Sequence, residues 1–257
     1  MSGTERIAEA FERARANGRR AALMPYMMGC FPDHARSVEI ARAYADGGAD
    51  LVELGIPFSD PLADGPVIHA AGTAALEAGA KVHDALAIAR ELPVPVVVMC
   101  YANTIFARGL QRFADALVDV GASGLIVPDL PLEEAPSVAA VCDERGLALV
   151  PLVAPTTPDD RLARIGAGAR GFIYTVSVLG TTGERAALDG GLADVVARAR
   201  AHTSVPVAAG FGIGTPAQAA DAARAGADGV IVGSRLVRAA ADGEDVGALV
   251  REFAAAL

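Results

Sequence analysis

The chain has 257 residues, a formal net charge of −9 and 53% hydrophobic residues. That length suits one α/β barrel, the apolar content supplies a large core, and no apolar run reaches the roughly 18 residues that would suggest a membrane span. An acidic chain with no basic cluster argues against nucleic acid and anionic membranes as partners.

The first residues, from Met1 to Arg6, lack a basic region followed by an apolar core, so no signal peptide is expected. Cys30, Cys100 and Cys142 are odd in number and scattered, which fits reduced thiols in a cytosol better than a disulfide frame. Residues 4–17 form an amphipathic pattern ahead of a first strand at 21–28, and this helix is expected to cover a barrel bottom. A helical stretch at 34–45 leads to a second strand at Leu51. Further strand-like runs follow at 95–99, 124–127, 147–152, 172–177, 205–209 and 229–232, with helical stretches at 110–120, 132–145, 192–201 and 216–225. Four of the strands follow a Gly-Ala pair at 48–49, 121–122, 168–169 and 226–227, where glycine suits the left-handed cap that ends a helix. Eight strand runs alternating with helices demand a parallel sheet and favour a closed (β/α)8 TIM barrel with an extra N-terminal helix. No linker or low-complexity segment divides the chain, so 1–257 reads as one domain.

In such barrels function sits where strands end. Glu53, Asp129, Tyr174, Gly212 and Gly233 all fall at or just past strand C-termini. Glu53 interrupts an apolar run, where a carboxylate is expensive to desolvate, and the loop that follows holds Asp60 and Asp64 between Pro57, Pro61 and Pro66. After the seventh strand comes Gly210-Phe211-Gly212-Ile213-Gly214-Thr215-Pro216, with Thr215 placed as an N-cap and Pro216 as the first helical residue. Gly233-Ser234 follows the eighth. Two glycine loops opening helices at this pair of strands form a phosphate cup made of backbone amides. The long loop after the sixth strand, with Thr182 and Gly183, has the length of a lid.

The stretch E-L-G-I-P-F-S-D-P-L-A-D-G-P at 53–66 closely resembles the signature of the tryptophan synthase alpha chain, and Tyr101-Ala102-Asn103 and the G-F-G-I-G loop match motifs of the same family. The resemblance spans essentially the whole length. It implies that Glu53 and Asp64 face a substrate indole with Tyr174 beside them. It also implies that Thr182 closes over the site and bonds Asp64, and that Gly183, Gly212, Gly233 and Ser234 hold a glycerol phosphate. Tyr26, Tyr101, Phe106 and Phe211 are expected to bind substrate, and the Tyr101 and Pro128-Asp129-Leu130-Pro131 segments to line the indole pocket or a partner surface. Where the family shows a Thr- or Gly-containing stretch after the first strand, this chain has Met27-Met28-Gly29-Cys30, which bears on the shape of the pocket rather than on the reaction.

The implied reaction is retro-aldol cleavage of indole-3-glycerol phosphate to indole and glyceraldehyde 3-phosphate. Lys81, the only lysine, falls in a helical stretch and not at a strand end, and the four histidines show no metal-ligand spacing. Protonation at indole C3 would let the substrate act as its own electron sink, so carboxylate acid–base catalysis suffices. The resemblance also implies an α2β2 assembly with a beta chain that carries pyridoxal phosphate, no cofactor on this chain, and a cytoplasmic location. Three other readings stay open at this stage. One is a related phosphate-binding barrel such as indole-3-glycerol phosphate synthase or phosphoribosylanthranilate isomerase, another a mainly regulatory subunit, and the third a free-standing lyase.

Overall fold

The computed structural model describes residues 1–176, 191–210 and 212–257. In chain order the elements begin with α1 (Gly3–Ala16), β1 (Ala22–Met28), α2 (His34–Asp46), β2 (Val52–Gly55), α3 (Pro66–Glu77) and α4 (Val82–Ala87). After a short 3₁₀ turn come β3 (Val96–Met99), α5 (Ala102–Phe106), α6 (Leu110–Asp119), β4 (Gly124–Ile126), α7 (Ala135–Glu144), β5 (Ala148–Val150) and β6 (Leu152–Val153). The remainder are α8 (Asp159–Gly168), β7 (Ile173–Val176), α9 (Gly191–Arg200), β8 (Val207–Gly210), α10 (Pro216–Arg224), β9 (Gly229–Val232), α11 (Ser234–Asp242) and α12 (Val246–Ala256).

The strands pair in the order β5-β4-β3-β2-β1-β9-β8-β7-β6, and every pairing is parallel. The two outermost segments are halves of one run, which the sequence marks as a single strand at 147–152. Pro151 divides them because it has no amide to donate to a ladder. Its carbonyl still accepts from Tyr174 N at 2.9 Å. The lower half pairs with β4 and the upper half with β7, so the sheet closes through this proline into a (β/α)8 barrel. The helix expected at 132–145 starts at Ala135 instead, because Pro131 to Glu134 form a turn, with the amides of Glu134 and Ala135 bonded to the Pro131 carbonyl.

Alternation along each strand sorts its side chains into two shells. Val52, Leu54, Val96 and Val98 pack outward against the helices. Leu51, Val97, Ala148, Phe172 and Ala208 fill the barrel interior. Helix α1 closes the bottom. Ser2 and Glu5 form its capping box, Ile7 and Phe11 enter the inner shell, and the Phe11 ring lies 5.9 Å from Phe172. By the same alternation Glu53, between outward Val52 and Leu54, points into the barrel. It sits one layer above Leu51, at the end where the loops gather.

Candidate active site

Glu53 stands opposite Tyr26 on β1 and Val97 on β3, and is 5% exposed. No hydrogen bond or ion pair reaches its carboxyl among the described residues. Asp50, three residues earlier and also buried, shows the contrast: it accepts from Leu23 N at 2.8 Å and pairs with Arg19 at 2.7 Å. A structural carboxylate at this depth is satisfied; Glu53 is not. Burial, reinforced by the charge of Asp64, pushes its carboxyl up to about 8.

Asp64 comes from the loop between β2 and α3. Pro57 is buried, Pro61 is half-buried, and Pro66 is the first residue of α3. Asp60 stays exposed and bonds Ser59 Oγ at 2.5 Å, so only one of the two loop aspartates reaches the barrel mouth. Tyr101, expected against the substrate, instead sits behind this loop. Its hydroxyl donates to Asp64 Oδ1 at 2.9 Å and accepts from Ala63 N at 3.0 Å, while its ring stacks on Phe58 at 5.1 Å. Burial raises the Asp64 carboxyl; the Tyr101 hydrogen bond and the nearby His69 oppose that rise. Tyr101→Phe is therefore expected to lift the Asp64 pKa. The acid limb of kcat/KM would move to higher pH and kcat/KM would fall about tenfold, as steady-state kinetics across pH would show.

One cavity at the mouth gathers Glu53, Asp64, Tyr26 and Tyr174 together with Gly212, Gly233 and Ser234. The two tyrosines enter in the same way. The Tyr26 hydroxyl lies over Gly55 and the Tyr174 hydroxyl over Gly210, and any Cβ at either glycine would collide with the phenol beside it. Burial and then the negative charge of Glu53 hold the Tyr174 hydroxyl well above its usual range. The apolar walls are Met99, Ile126, Leu152 and Ile231, one from each of four strands, with Pro128 and Ile68 at the rim. Sequence reasoning singled out Pro128 but none of the other five. The four strand residues, each the last or next-to-last of its strand, stand out only once the inward face of each strand is known.

The glycine loops do not contribute equally. The start of α10 is self-satisfied: Thr215 Oγ1 accepts from Gln218 N, and Gln218 Oε1 accepts from the amides of Gly214 and Thr215. The start of α11 has no side-chain cap and no acidic residue in its first turn, and Gly233 and Ser234 there face the cavity. Gly212 joins them in a left-handed conformation with φ 80°. An anion would thus meet one open helix N-terminus, not two.

Phe106 does not line this cavity. It ends the short helix α5, whose buried face is Thr104 and Ile105, and so it turns outward and is 52% exposed. Asp129 accepts from Ala102 N at 2.8 Å and so caps α5. Thr182, Gly183 and Phe211 lie outside the described residues. Lys81 is an exposed N-cap of α4 and does not line this cavity. Among the described residues no three His, Cys, Asp or Glu side chains come together as a metal site.

Comparison with known proteins agrees with this geometry. A family model described as tryptophan synthase alpha chain matches residues 11–255. The tryptophan synthase alpha chain of Prochlorococcus marinus is 48% identical over 236 residues, covering 90% of this chain and 86% of that protein. That of Methanosarcina mazei is 46% identical over 243 residues, covering 94% and 89%. A solved structure of Mycobacterium tuberculosis tryptophan synthase superposes with a TM-score of 0.92 at 39% identity, covering 97% of each chain. The alpha subunit from Legionella pneumophila gives 0.86 at 35% identity, covering 100% of this chain and 98% of that one. With the two acids and the open helix end sharing one cavity, and the similarity running nearly end to end, the chain belongs to the tryptophan synthase alpha chain family.

Proposed function

We propose that Glu53 and Asp64 perform the family's reaction, the lyase cleavage of indole-3-glycerol phosphate, by general acid–base catalysis. The observation that supports this reading is the cavity that both acids share with the start of α11. The phosphate rests on the amides around Gly212, Gly233 and Ser234, and the indole lies between the aliphatic walls. Glu53 enters the reaction protonated, since its carboxyl titrates near 8. It gives that proton to indole C3, which makes an indolenine whose C=N accepts electrons. Asp64 accepts the indole N–H and stabilises the positive charge that develops there. The Glu53 carboxylate then takes the glycerol hydroxyl proton as the C–C bond breaks. Indole and glyceraldehyde 3-phosphate leave, and Glu53 is protonated again. Tyr174 flanks the acids, and family resemblance assigns Thr182, Gly183 and Phe211 to substrate binding.

The family places no cofactor on this chain; pyridoxal phosphate belongs to the beta chain. We place that chain over the mouth, where Leu62 and Phe106 are large exposed apolar side chains beside the Asp64 loop and after Tyr101. The chain is taken as one cytoplasmic domain over 1–257; among the described residues no helix is long and apolar enough to cross a membrane. Indole release from indole-3-glycerol phosphate, assayed with and without a beta chain, tests the whole reading. No release under either condition would defeat it.

The phosphate cup has its own test. Ser234→Asp puts a negative charge on the first turn of α11, where it favours the helix dipole but repels a bound phosphate. KM is expected to rise about tenfold or more, as steady-state kinetics would show. An unchanged KM would place the phosphate elsewhere.

A further inference from the structure

The Tyr26 hydroxyl is buried without a hydrogen-bond partner. Among the described residues two other buried side-chain atoms share that state, Arg6 Nε on α1 and Ser123 Oγ, whose residue packs against Gly3 of α1, both at the opposite end of the barrel. Leaving a buried hydroxyl unsatisfied is unfavourable, and a phenylalanine would fill the same space without that cost. The oxygen sits over Gly55 and is sealed from solvent, so a protein group that turns toward it can satisfy it. Glu53 is the candidate. It is Tyr26's register partner across β1 and β2, its side chain shares the inward face, and it has no donor of its own. Asp64, the other acid, already receives the Tyr101 hydroxyl.

We infer that Tyr26 is a positioning residue, whose hydroxyl donates a hydrogen bond to the Glu53 carboxylate during the interval in which Glu53 has given up its proton. This deepens the acid–base reading above and rests on it. While Glu53 is protonated the hydroxyl waits unpaired, as the structure has it. Once the buried carboxylate forms, the charge-assisted bond steadies it until the glycerol hydroxyl proton arrives. Among the described residues the titratable groups that face Glu53 are Asp64 from the loop, Tyr26 from β1 and Tyr174 from β7; Val97 on β3 adds none.

The experiment uses the full chain with Tyr26→Phe. The Glu53 carboxyl band is isolated by infrared difference against Glu53→Gln and titrated without substrate. Its midpoint should rise by about one pH unit, while kcat falls about tenfold and KM stays within about twofold. Incorporation of 3-fluorotyrosine at position 26 gives a stronger donor and should move the midpoint down; it also serves if the phenylalanine variant folds poorly. An unmoved Glu53 midpoint in both variants overturns the inference, whatever the activity. So does a shift that persists in a Glu53→Gln background, since it would belong to Asp64. If the wild-type chain released no indole, the acid–base reading would fail, yet the infrared titration would still decide whether Tyr26 serves Glu53.

Discussion

Glu53→Gln is expected to lower kcat for indole release about a thousandfold, because the amide can neither deliver a proton to C3 nor collect one from the glycerol hydroxyl. The fold should survive, and above neutral pH it should gain stability. The Glu53 carboxyl titrates near 4.5 when unfolded and near 8 in place, so between those values the folded state holds a proton that the unfolded state has released. Stability therefore falls as pH rises through that window. Below it both states are protonated and the penalty vanishes; above about 8 it is complete and on the order of a few kcal/mol. Denaturant unfolding of wild type and variant at pH 4, 6 and 9 checks this. The variant's advantage should be absent at the first and largest at the last. Near-normal turnover would remove Glu53 from the chemistry, and a pH-independent stability difference would contradict its buried, raised carboxyl.

Asp64→Asn should cost about a hundredfold in kcat/KM, since a neutral amide cannot stabilise the positive charge that forms on the indole nitrogen. It should also change Glu53. The negative charge of Asp64 is the second cause, after burial, of the high Glu53 pKa. Removing that charge eases ionisation, so the alkaline limb of the pH–rate profile should move down from about 8. The two effects separate cleanly in a profile of kcat/KM against pH. A loss of rate with a stationary limb would mean that the acids do not share a field.

Local chemistry made much of the chain legible in advance. Gly-Ala turns before apolar runs marked four of the strands, and one carboxylate within such a run marked Glu53. Prolines around Asp64 and glycines after the last two strands marked the other parts of the site. These signals depend on the residue and its near neighbours: the cost of burying a charge, the fixed φ of proline, the freedom of glycine. Strands buried on both faces show little alternation, so the sequence alone did not reveal which side of each one faced inward. The apolar walls at Met99, Ile126, Leu152 and Ile231 follow from register and closure, which span the whole barrel. The same holds for Tyr101, which moved from a supposed wall to a clamp on Asp64 once α5 and the loop were packed together. Pro151 became the seam of the barrel only because β4 and β7 stand on either side of it, and Tyr26 met Glu53 only across a strand pair. Residue types determined what chemistry the chain could offer. Pairing of distant segments decided which groups share one cavity, because only that pairing sets the distances over which charges and hydrogen bonds act.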